Sequence, residues 1–119
     1  HDMHEESYFI NSKTLKKIQD VKRNGNRILS IGTTSLRAIE SLAIDTNQVN
    51  KWSKTNLFIT EGFDFKFTDC LLTNFHLPKS TLLILISSFL GYELTMKCYK
   101  IALKEKFRFY SYGDAMLIL

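Results

Sequence analysis

The chain has 119 residues, of which 45% are apolar and 24% charged, values typical of a folded globular protein rather than a disordered one. A length of this order favours a single domain, residues 1–119. Lys and Arg outnumber Asp and Glu by 16 to 12, and the resulting net charge of +4 permits contact with a polyanion such as RNA without requiring it.

Three features of the sequence predict a cytoplasmic protein with no membrane association. The first residues carry neither the basic nor the apolar part of a signal peptide. The longest apolar run, residues 82–86, has five residues, whereas a membrane-spanning helix needs ~20. Cys70 and Cys98 are the only cysteines and lie in apolar segments without a CxxC motif. This pattern predicts two buried, reduced thiols and neither a disulfide nor a zinc site.

The first third of the chain predicts a basic helix followed by a strand–loop–helix unit. A short strand ends at residues 8–10, and Ser12 has the character of an N-cap for a helix over residues 13–23. Residues 27–31 predict a short buried strand, because three of the five are apolar. A Gly-Thr-Thr-Ser segment follows and opens a helix that runs to about Leu42.

The Gly-Thr-Thr-Ser segment, residues 32–35, has two interpretations. Gly32 permits a sharp turn or the close approach of a ligand, and the segment offers hydroxyls and helix N-terminal N–H groups. It is therefore either an ordinary helix cap or a ligand-binding loop, and it lacks the pattern of a dinucleotide fingerprint or a P-loop. Arg37, on the first turns of the helix, can clamp a carboxylate or phosphate, or pair with Glu40.

The middle of the chain predicts a polar loop and two strands. Residues 45–56 are rich in Asn, Lys and Ser, so we expect a surface loop that the lone Trp52 anchors to the core. Residues 57–59 predict a strand. In residues 63–68 three phenylalanines alternate with polar residues, which predicts a strand with an aromatic core face.

The most informative segment is residues 71–81, Leu-Leu-Thr-Asn-Phe-His-Leu-Pro-Lys-Ser-Thr. It joins the end of a predicted buried strand to an apolar helix, about residues 81–90, which Ser80 can cap. Pro78 prevents that helix from beginning earlier. A polar cluster between a strand end and a helix start is where α/β proteins bind ligands. The same residues also fit an ordinary capped connection with a surface histidine, His76.

A second helix is predicted after Gly91, where the apolar helix ends or kinks. It covers about residues 93–106 and places Leu94, Cys98 and Ile101 on one apolar face, with lysines on or near the other. With the strands between the helices, this alternation predicts an α/β domain built from short, mainly parallel strands.

The last segment combines aromatic, basic and polar residues. Residues 107–112 can stack on nucleobases or pack their rings into the core. Asp114 lies in a predicted loop, where it can orient a ribose hydroxyl, bind a cation or cap a turn. Residues 115–119 are apolar and predict a last strand.

Three segments resemble signature blocks of the S-adenosylmethionine:tRNA ribosyltransferase-isomerases, a family of the queuosine pathway. They are residues 32–37 (GTTSLR), 73–82 (TNFHLPKSTL) and 110–116 (YSYGDAM), in the family's order. His4 and Glu6 also match a family block, whereas Glu61 stands where the family usually has proline. The resemblance covers the whole chain but only the C-terminal part of the longer family polypeptide. It implies the C-terminal part of a larger α/β domain, without the family's β-rich second domain.

The resemblance also implies a reaction. S-adenosylmethionine is the ribosyl-donor substrate, and no metal is required. The ribosyl group is transferred to 7-aminomethyl-7-deazaguanine in tRNA and isomerised to give epoxyqueuosine, with release of adenine and methionine. The implied partners are therefore tRNA and S-adenosylmethionine, and the implied state is a monomer.

The predicted site residues follow from this resemblance and from the chemistry it implies. The predicted catalytic residues are His76, His4, Asp114 and Glu6, because imidazole and carboxylate groups can take a proton from the carbon beside the sulfonium. The predicted substrate-binding residues are Gly32, Thr33, Thr34, Ser35, Arg37, Thr73, Asn74, Phe75, Ser80, Ser111, Tyr112 and Gly113. The two histidines of residues 1–4 lack the spacing of the helical metal motif, so no metal site is predicted. The alternative function is a noncatalytic nucleotide- or RNA-binding α/β module.

Overall fold

The computed structural model describes residues 4–76, 80–110 and 113–119. This part of the chain contains five strands and four α-helices, which makes it a mixed α/β fold. The strands are β1 (Glu6–Tyr8), β2 (Leu29–Ile31), β3 (Ser53–Thr55), β4 (Cys70–Asn74) and β5 (Ala115–Ile118). The helices are α1 (Ser12–Arg23), α2 (Thr33–Ile44), α3 (Thr81–Leu90) and α4 (Tyr92–Lys104), with a 3-10 helix at Thr46–Gln48.

The strands form two small mixed sheets, so the prediction of mainly parallel strands is wrong. β2 and β4 are parallel, β5 pairs antiparallel with the other side of β4, and β1 and β3 form a separate antiparallel pair. The reason lies in the connections. A single crossover helix brings the chain back to start a parallel strand. The chain between β4 and β5 instead contains two helices, α3 and α4, which are bent by 115° relative to each other. It enters β5 at the edge of the sheet where β4 ends, so β5 runs antiparallel to β4.

The three-stranded sheet has one buried and one exposed face. Leu71 is 0% and Ile118 5% exposed, and both belong to the main hydrophobic cluster. On the other face, Ile31 is 65% exposed. The strand predicted within residues 27–31 is confirmed at Leu29–Ile31, but the predicted burial of its apolar side chains is wrong. The inward side chain is Ser30, which hydrogen-bonds to the Thr68 hydroxyl at 2.7 Å.

The predicted strands at 57–59 and 63–68 are also wrong, because the structure has no strand there. The backbone N–H groups of residues 66–68 donate to the carboxylate of Glu40, at 2.7–3.0 Å, instead of to a neighbouring strand. The prediction that these phenylalanine rings face the core is correct for Phe63 and Phe65, which pack against the main hydrophobic cluster. Strand β3 lies inside the segment that was predicted as a loop. Trp52 is 74% exposed and contacts the ring of Phe9, so it does not anchor the loop to the core.

The helix ends follow local sequence signals. The cap of α1 is Asn11 and not Ser12, because the Asn11 side chain accepts from the Thr14 N–H at 2.8 Å. Ser80 caps α3 as predicted, and its hydroxyl accepts from the Leu83 N–H at 3.2 Å. α3 ends at Gly91, also as predicted.

The buried face of α4 differs from the predicted one. Thr95, Tyr99 and Ala102 are buried, whereas the predicted core residues Leu94 and Ile101 are about half exposed. The Tyr99 side chain faces the core because its ring completes an aromatic cluster around the end of β4.

Both cysteines are free; Cys70 is buried as predicted, whereas Cys98 is only partly buried. Among the described residues no single helix is both long and apolar enough to cross a membrane. The bent pair of α3 and α4 reaches that length and composition only when the two helices are taken together.

Candidate functional site

The carboxyl ends of β2 and β4 and the start of β5 lie at the same edge of the three-stranded sheet. This follows from the pairing, since β2 is parallel and β5 antiparallel to β4. The Gly32 N–H, directly after β2, donates to the Leu72 carbonyl oxygen at 2.8 Å. After β4, the Asn74 side-chain amide donates to the Asp114 carbonyl oxygen at 3.3 Å. The described parts of the three signature segments therefore adjoin one another at this edge.

A cavity of about 210 Å³ lies between the segment that leads into β1 and the starts of α2 and α3. It is lined by His4, Glu6, Thr33, Thr34, Arg37, Thr81 and Leu82. The first five of these were predicted as site residues, and the other two belong to the second signature segment. Three larger cavities, two of about 380 Å³ and one of about 570 Å³, are lined by no predicted site residue. His76 and Asp114 are not among the residues that line the small cavity.

The carboxylate of Glu6 is fixed at the cavity by two side chains of α2. Its Oε1 accepts from the Thr34 hydroxyl at 2.9 Å, and its Oε2 accepts from Arg37 Nη1 at 2.6 Å. The Glu6 side chain is 33% exposed, whereas that of Arg37 is 3% exposed. Solvent or a ligand can therefore reach the carboxylate of this ion pair but not its guanidinium group.

Arg37 also binds three backbone carbonyl groups, which hold two segments of the chain against α2. Its Nη2 donates to the carbonyl oxygens of His4 at 2.8 Å and Thr55 at 3.4 Å, and its Nε donates to that of Leu57 at 3.0 Å. The alternative pairing of Arg37 with Glu40 does not occur, since the Glu40 carboxylate binds backbone N–H groups of residues 66–68. Four of the five N–H groups that a guanidinium carries are directed at protein atoms. The role of Arg37 in substrate binding stays a prediction, and its contacts are those of a positioning residue.

The start of α2 presents N–H groups next to the same cavity. Gly32 occupies the N-cap position with φ of 91°, a backbone conformation that favours glycine, and no side chain caps the helix. The first N–H groups of a helix have no partner within the helix and favour an anion or a ligand oxygen. Thr33 and Thr34 add their side chains to the cavity wall. The predicted ligand loop therefore has the geometry for the role, and that role stays a prediction.

His76 lies at the end of β4 between two hydroxyl groups. Its Nε2 is 3.0 Å from the Thr73 hydroxyl, and its backbone N–H donates to the Tyr99 hydroxyl at 3.0 Å. Burial lowers the pKa of His76, which favours the neutral imidazole that can accept a proton. Burial also raises the pKa of Tyr99, although the hydrogen bond from His76 N–H opposes this rise.

Asp114 is bonded to the segment that precedes it. Its Oδ2 accepts from the Arg108 N–H at 2.5 Å and lies 3.6 Å from Arg108 Nε. Gly113 has φ of 123°, and a Cβ there would lie 3.2 Å from the Arg108 guanidinium carbon. The backbone conformation therefore favours glycine at this position, and any larger residue would also require the Arg108 side chain to shift. The Asp114 carboxylate is about one-third exposed and so remains accessible to a ligand.

The remaining predicted substrate-binding residues divide into three groups. Phe75 is 5% exposed, and its ring contacts those of Tyr99, Phe107 and Phe109, so its position is that of a core residue. Ser80 is engaged as the cap of α3, and Ser35 lies in the first turn of α2. The predictions for Ser111 and Tyr112, and the part of the second signature segment at residues 77–79, lie outside the described residues.

Sequence reasoning missed Tyr99 and Arg108 as neighbours of the site. Their contacts with His76 and Asp114 join residues 23 and 6 positions apart. The helical spacing of Thr95, Tyr99 and Ala102 was a possible signal for Tyr99, but Leu94, Cys98 and Ile101 form a more apolar stripe. No group of three or more His, Cys, Asp or Glu side chains able to hold a metal ion occurs among the described residues.

Comparison with known proteins identifies the family of these residues. The family model described as queuosine biosynthesis protein matches residues 1–118. An S-adenosylmethionine:tRNA ribosyltransferase-isomerase from Thermotoga petrophila is 48% identical over 119 residues, which are 100% of this chain and 36% of the relative. The protein of the same name from Polynucleobacter asymbioticus is 52% identical over 118 residues, 99% of this chain and 33% of the relative.

A solved structure supports the same relationship. The crystal structure of S-adenosylmethionine tRNA ribosyltransferase from Thermotoga maritima matches with a TM-score of 0.87 and 45% identity. The match covers 95% of this chain and 40% of that chain. The chain thus spans about a third of the length of the curated relatives it matches.

Proposed function

The chain belongs to the family of queuosine biosynthesis proteins, and we propose that it carries part of a site that transfers the ribosyl group of S-adenosylmethionine to tRNA. The acceptor is the aminomethyl group of 7-aminomethyl-7-deazaguanine, and the ribosyl group is isomerised to give epoxyqueuosine. Adenine and methionine leave. The observation that carries the proposal is the cavity beside Glu6 and Thr34, at the edge where the signature segments adjoin.

The charge of the cavity fits the cationic donor. The carboxylate of Glu6 is one-third exposed, while its partner Arg37 is buried behind it. A carboxylate in this position attracts a sulfonium or accepts hydrogen bonds from ribose hydroxyls. The uncapped N–H groups at the start of α2 are suited to the donor's carboxylate or to ribose oxygens.

The proposed general base is His76, which lies after β4 at the same edge of the sheet but outside the lining of the small cavity. The reaction requires removal of a proton from the carbon next to the sulfonium, whose charge acidifies it, and a neutral imidazole can take that proton. The lowered pKa of His76 supports this role, because the ring is neutral near pH 7. Asp114 and His4 remain the second proposed pair for proton transfer or for holding ribose hydroxyls.

A chimera tests the proposal. This chain replaces the corresponding third of the Thermotoga maritima relative, and release of adenine from S-adenosylmethionine is measured with and without tRNA. We expect tRNA-dependent release, a loss of 100-fold or more in His76→Ala, as is typical of a general base, and no change in Gln19→Ala, an exposed residue on α1.

Two results would count against parts of the proposal. A folded chimera that releases no adenine while the parent relative does so would refute the function and favour the noncatalytic RNA- or nucleotide-binding alternative. Turnover within a few-fold of wild type in His76→Ala would remove His76 as the base while leaving the reaction itself in place.

A further inference from the structure

The basic residues of the chain concentrate on two separate surfaces. One is α1, where Lys13, Lys16 and Lys17 are exposed. The other is formed by α4 and the segment after it, and consists of Lys97, Lys100, Lys104, Lys106 and Arg108, all of them exposed. We call the second set the α4 basic face. Residues 97–108 contain these five basic residues and one acidic residue, Glu105, so this segment alone has a charge of +4.

The α4 basic face has the geometry of a binding surface for an extended anion. α4 buries Thr95, Tyr99 and Ala102. Its lysines at 97, 100 and 104 follow each other at intervals of three and four residues, which places them on one stripe of the helix away from that buried side. None of these three lysines forms an ion pair with another described residue.

Exposed aromatic rings lie within the same stretch of chain. Tyr92, at the start of α4, is 64% exposed, and Phe107, between Lys106 and Arg108, is 44% exposed. Surfaces that bind single-stranded nucleic acid combine basic side chains, which follow the backbone, with aromatic rings on which bases stack.

The end of the α4 basic face at Arg108 adjoins the proposed site, because the Arg108 N–H donates to the Asp114 carboxylate. The buried side of α4 also contacts this edge, since the Tyr99 hydroxyl accepts from the His76 N–H at 3.0 Å. α1 has no such contact with the site among the described residues. α1 is tied to the opposite end of the sheet, where Lys22 pairs with Asp69 at 2.8 Å, next to the starts of β2 and β4.

We propose that the α4 basic face binds the phosphate backbone of the RNA substrate and delivers the acceptor base to the edge of the sheet at His76. The inference rests on the proposed function, because it takes an RNA acceptor as given. It assigns the contact to one of two basic surfaces of comparable charge.

The experiment compares two pairs of lysines with the same spacing. Lys100→Glu/Lys104→Glu changes the α4 basic face, and Lys13→Glu/Lys17→Glu makes the matched change on α1. Binding of an unmodified tRNA transcript to the 119-residue chain and to the chimera is measured over a range of salt concentrations. The expected loss for the α4 variant is at least tenfold, with a salt slope reduced by about one for each lysine. The α1 variant should change affinity by less than threefold.

Folding is controlled by far-UV circular dichroism, and Lys100→Gln/Lys104→Gln provides a milder variant should the reversed charges disturb the helix. An equal loss in the α1 and α4 variants, a loss only in the α1 variant, or no measurable tRNA binding by the wild type would each overturn the proposal. Retention of tRNA binding through α4 by a chimera that releases no adenine would refute the ribosyl transfer and leave the RNA surface standing. Normal adenine release at saturating tRNA together with a raised tRNA requirement in the α4 variant would support both.

Discussion

Replacement of Arg37 by alanine should cost much more stability than replacement of Arg23, although both arginines form ion pairs of the same length. The Arg37–Glu6 and Arg23–Asp20 pairs each have a nitrogen–oxygen distance of 2.6 Å. They differ in burial, since the Arg37 side chain is 3% exposed and that of Arg23 is 71% exposed. A comparison of the two variants therefore measures the combined effect of burial and of the extra backbone hydrogen bonds that Arg37 makes.

The expected magnitude follows from the contacts of Arg37. Removal of one partner from a fully buried ion pair costs about 3–5 kcal/mol. Glu6 is one-third exposed, so water can solvate its freed carboxylate and reduce this part of the loss. The variant also leaves the carbonyl oxygens of His4 and Leu57 without their donor, at a cost of about 1 kcal/mol each where they are not rehydrated. We expect a total of about 3 kcal/mol for Arg37→Ala, and about 0.5 kcal/mol or less for Arg23→Ala, as for other exposed pairs.

Urea unfolding followed by far-UV circular dichroism measures both values. The comparison is valid when the dependence of the unfolding free energy on urea concentration is the same in wild type and variants. Adding Glu6→Gln and the double variant completes a cycle, in which we expect a coupling of about 1–3 kcal/mol between Glu6 and Arg37. A loss below about 1 kcal/mol for Arg37→Ala, or a coupling near zero, would show that this pair does not hold β1 against α2.

Three further predictions concern other parts of the fold. Glu40→Ala should lower the unfolding free energy by about 3 kcal/mol or more, because three backbone N–H groups lose a charged acceptor; urea unfolding measures this. The unfolding free energy should fall as the pH decreases below 6.5, since burial lowers the pKa of His76 and the unfolded chain takes up the proton first. His76→Gln should flatten that part of the curve. Leu71→Ala should cost about 2–5 kcal/mol, whereas Ile31→Ala, on the exposed face of the same sheet, should cost about 1 kcal/mol or less.

Each of these predictions has a control within the chain. Glu61→Gln changes an exposed acid and should leave stability unchanged; a similar loss there and in Glu40→Ala would contradict the role of the buried carboxylate. His4→Gln removes an exposed histidine, and the pH slope should persist in this variant. If Ile31→Ala cost as much as Leu71→Ala, the Ile31 face of the sheet would be covered in solution.

Elements fixed by neighbouring residues were predictable from the sequence. Ser80 caps α3 and Gly91 ends it because capping and left-handed backbone geometry depend on residues within one turn. The side of an element that faces the core is decided by distant segments, and here prediction failed. The strand at residues 29–31 buries Ser30, whose partner is Thr68, 38 positions further along the chain. A strand of three residues is too short for its periodicity to predict which side chain faces the core.

The same distinction applies to the candidate site. The nearness of the first two signature segments followed from their position at the ends of parallel strands, which lie at one edge of a sheet. The third segment reaches the same edge because β5 is antiparallel, which the sequence did not predict. The pairing of Glu6 with Arg37 joins residues 31 positions apart, and that of His76 with Tyr99 joins residues 23 apart. A sequence pattern identifies such residues as polar and well placed. Only the fold determines which of them already form hydrogen bonds or ion pairs with one another.

The ion pair of Arg37 with Glu6 changes which charged groups are accessible on the surface of the molecule. From the sequence, Arg37 was a candidate to bind a carboxylate or phosphate, which would make the cavity a site for anions. With the buried guanidinium paired with Glu6, the accessible member of the pair is the carboxylate, while the uncapped N–H groups at the start of α2 are the groups suited to an anion. The lysines of α4 lie outside the cavity and form no ion pair with another described residue, and our proposal assigns the phosphate contacts to them. Under the two proposals above, the cationic donor and the polyanionic acceptor contact separate parts of the chain, the Glu6 carboxylate and the α4 basic face.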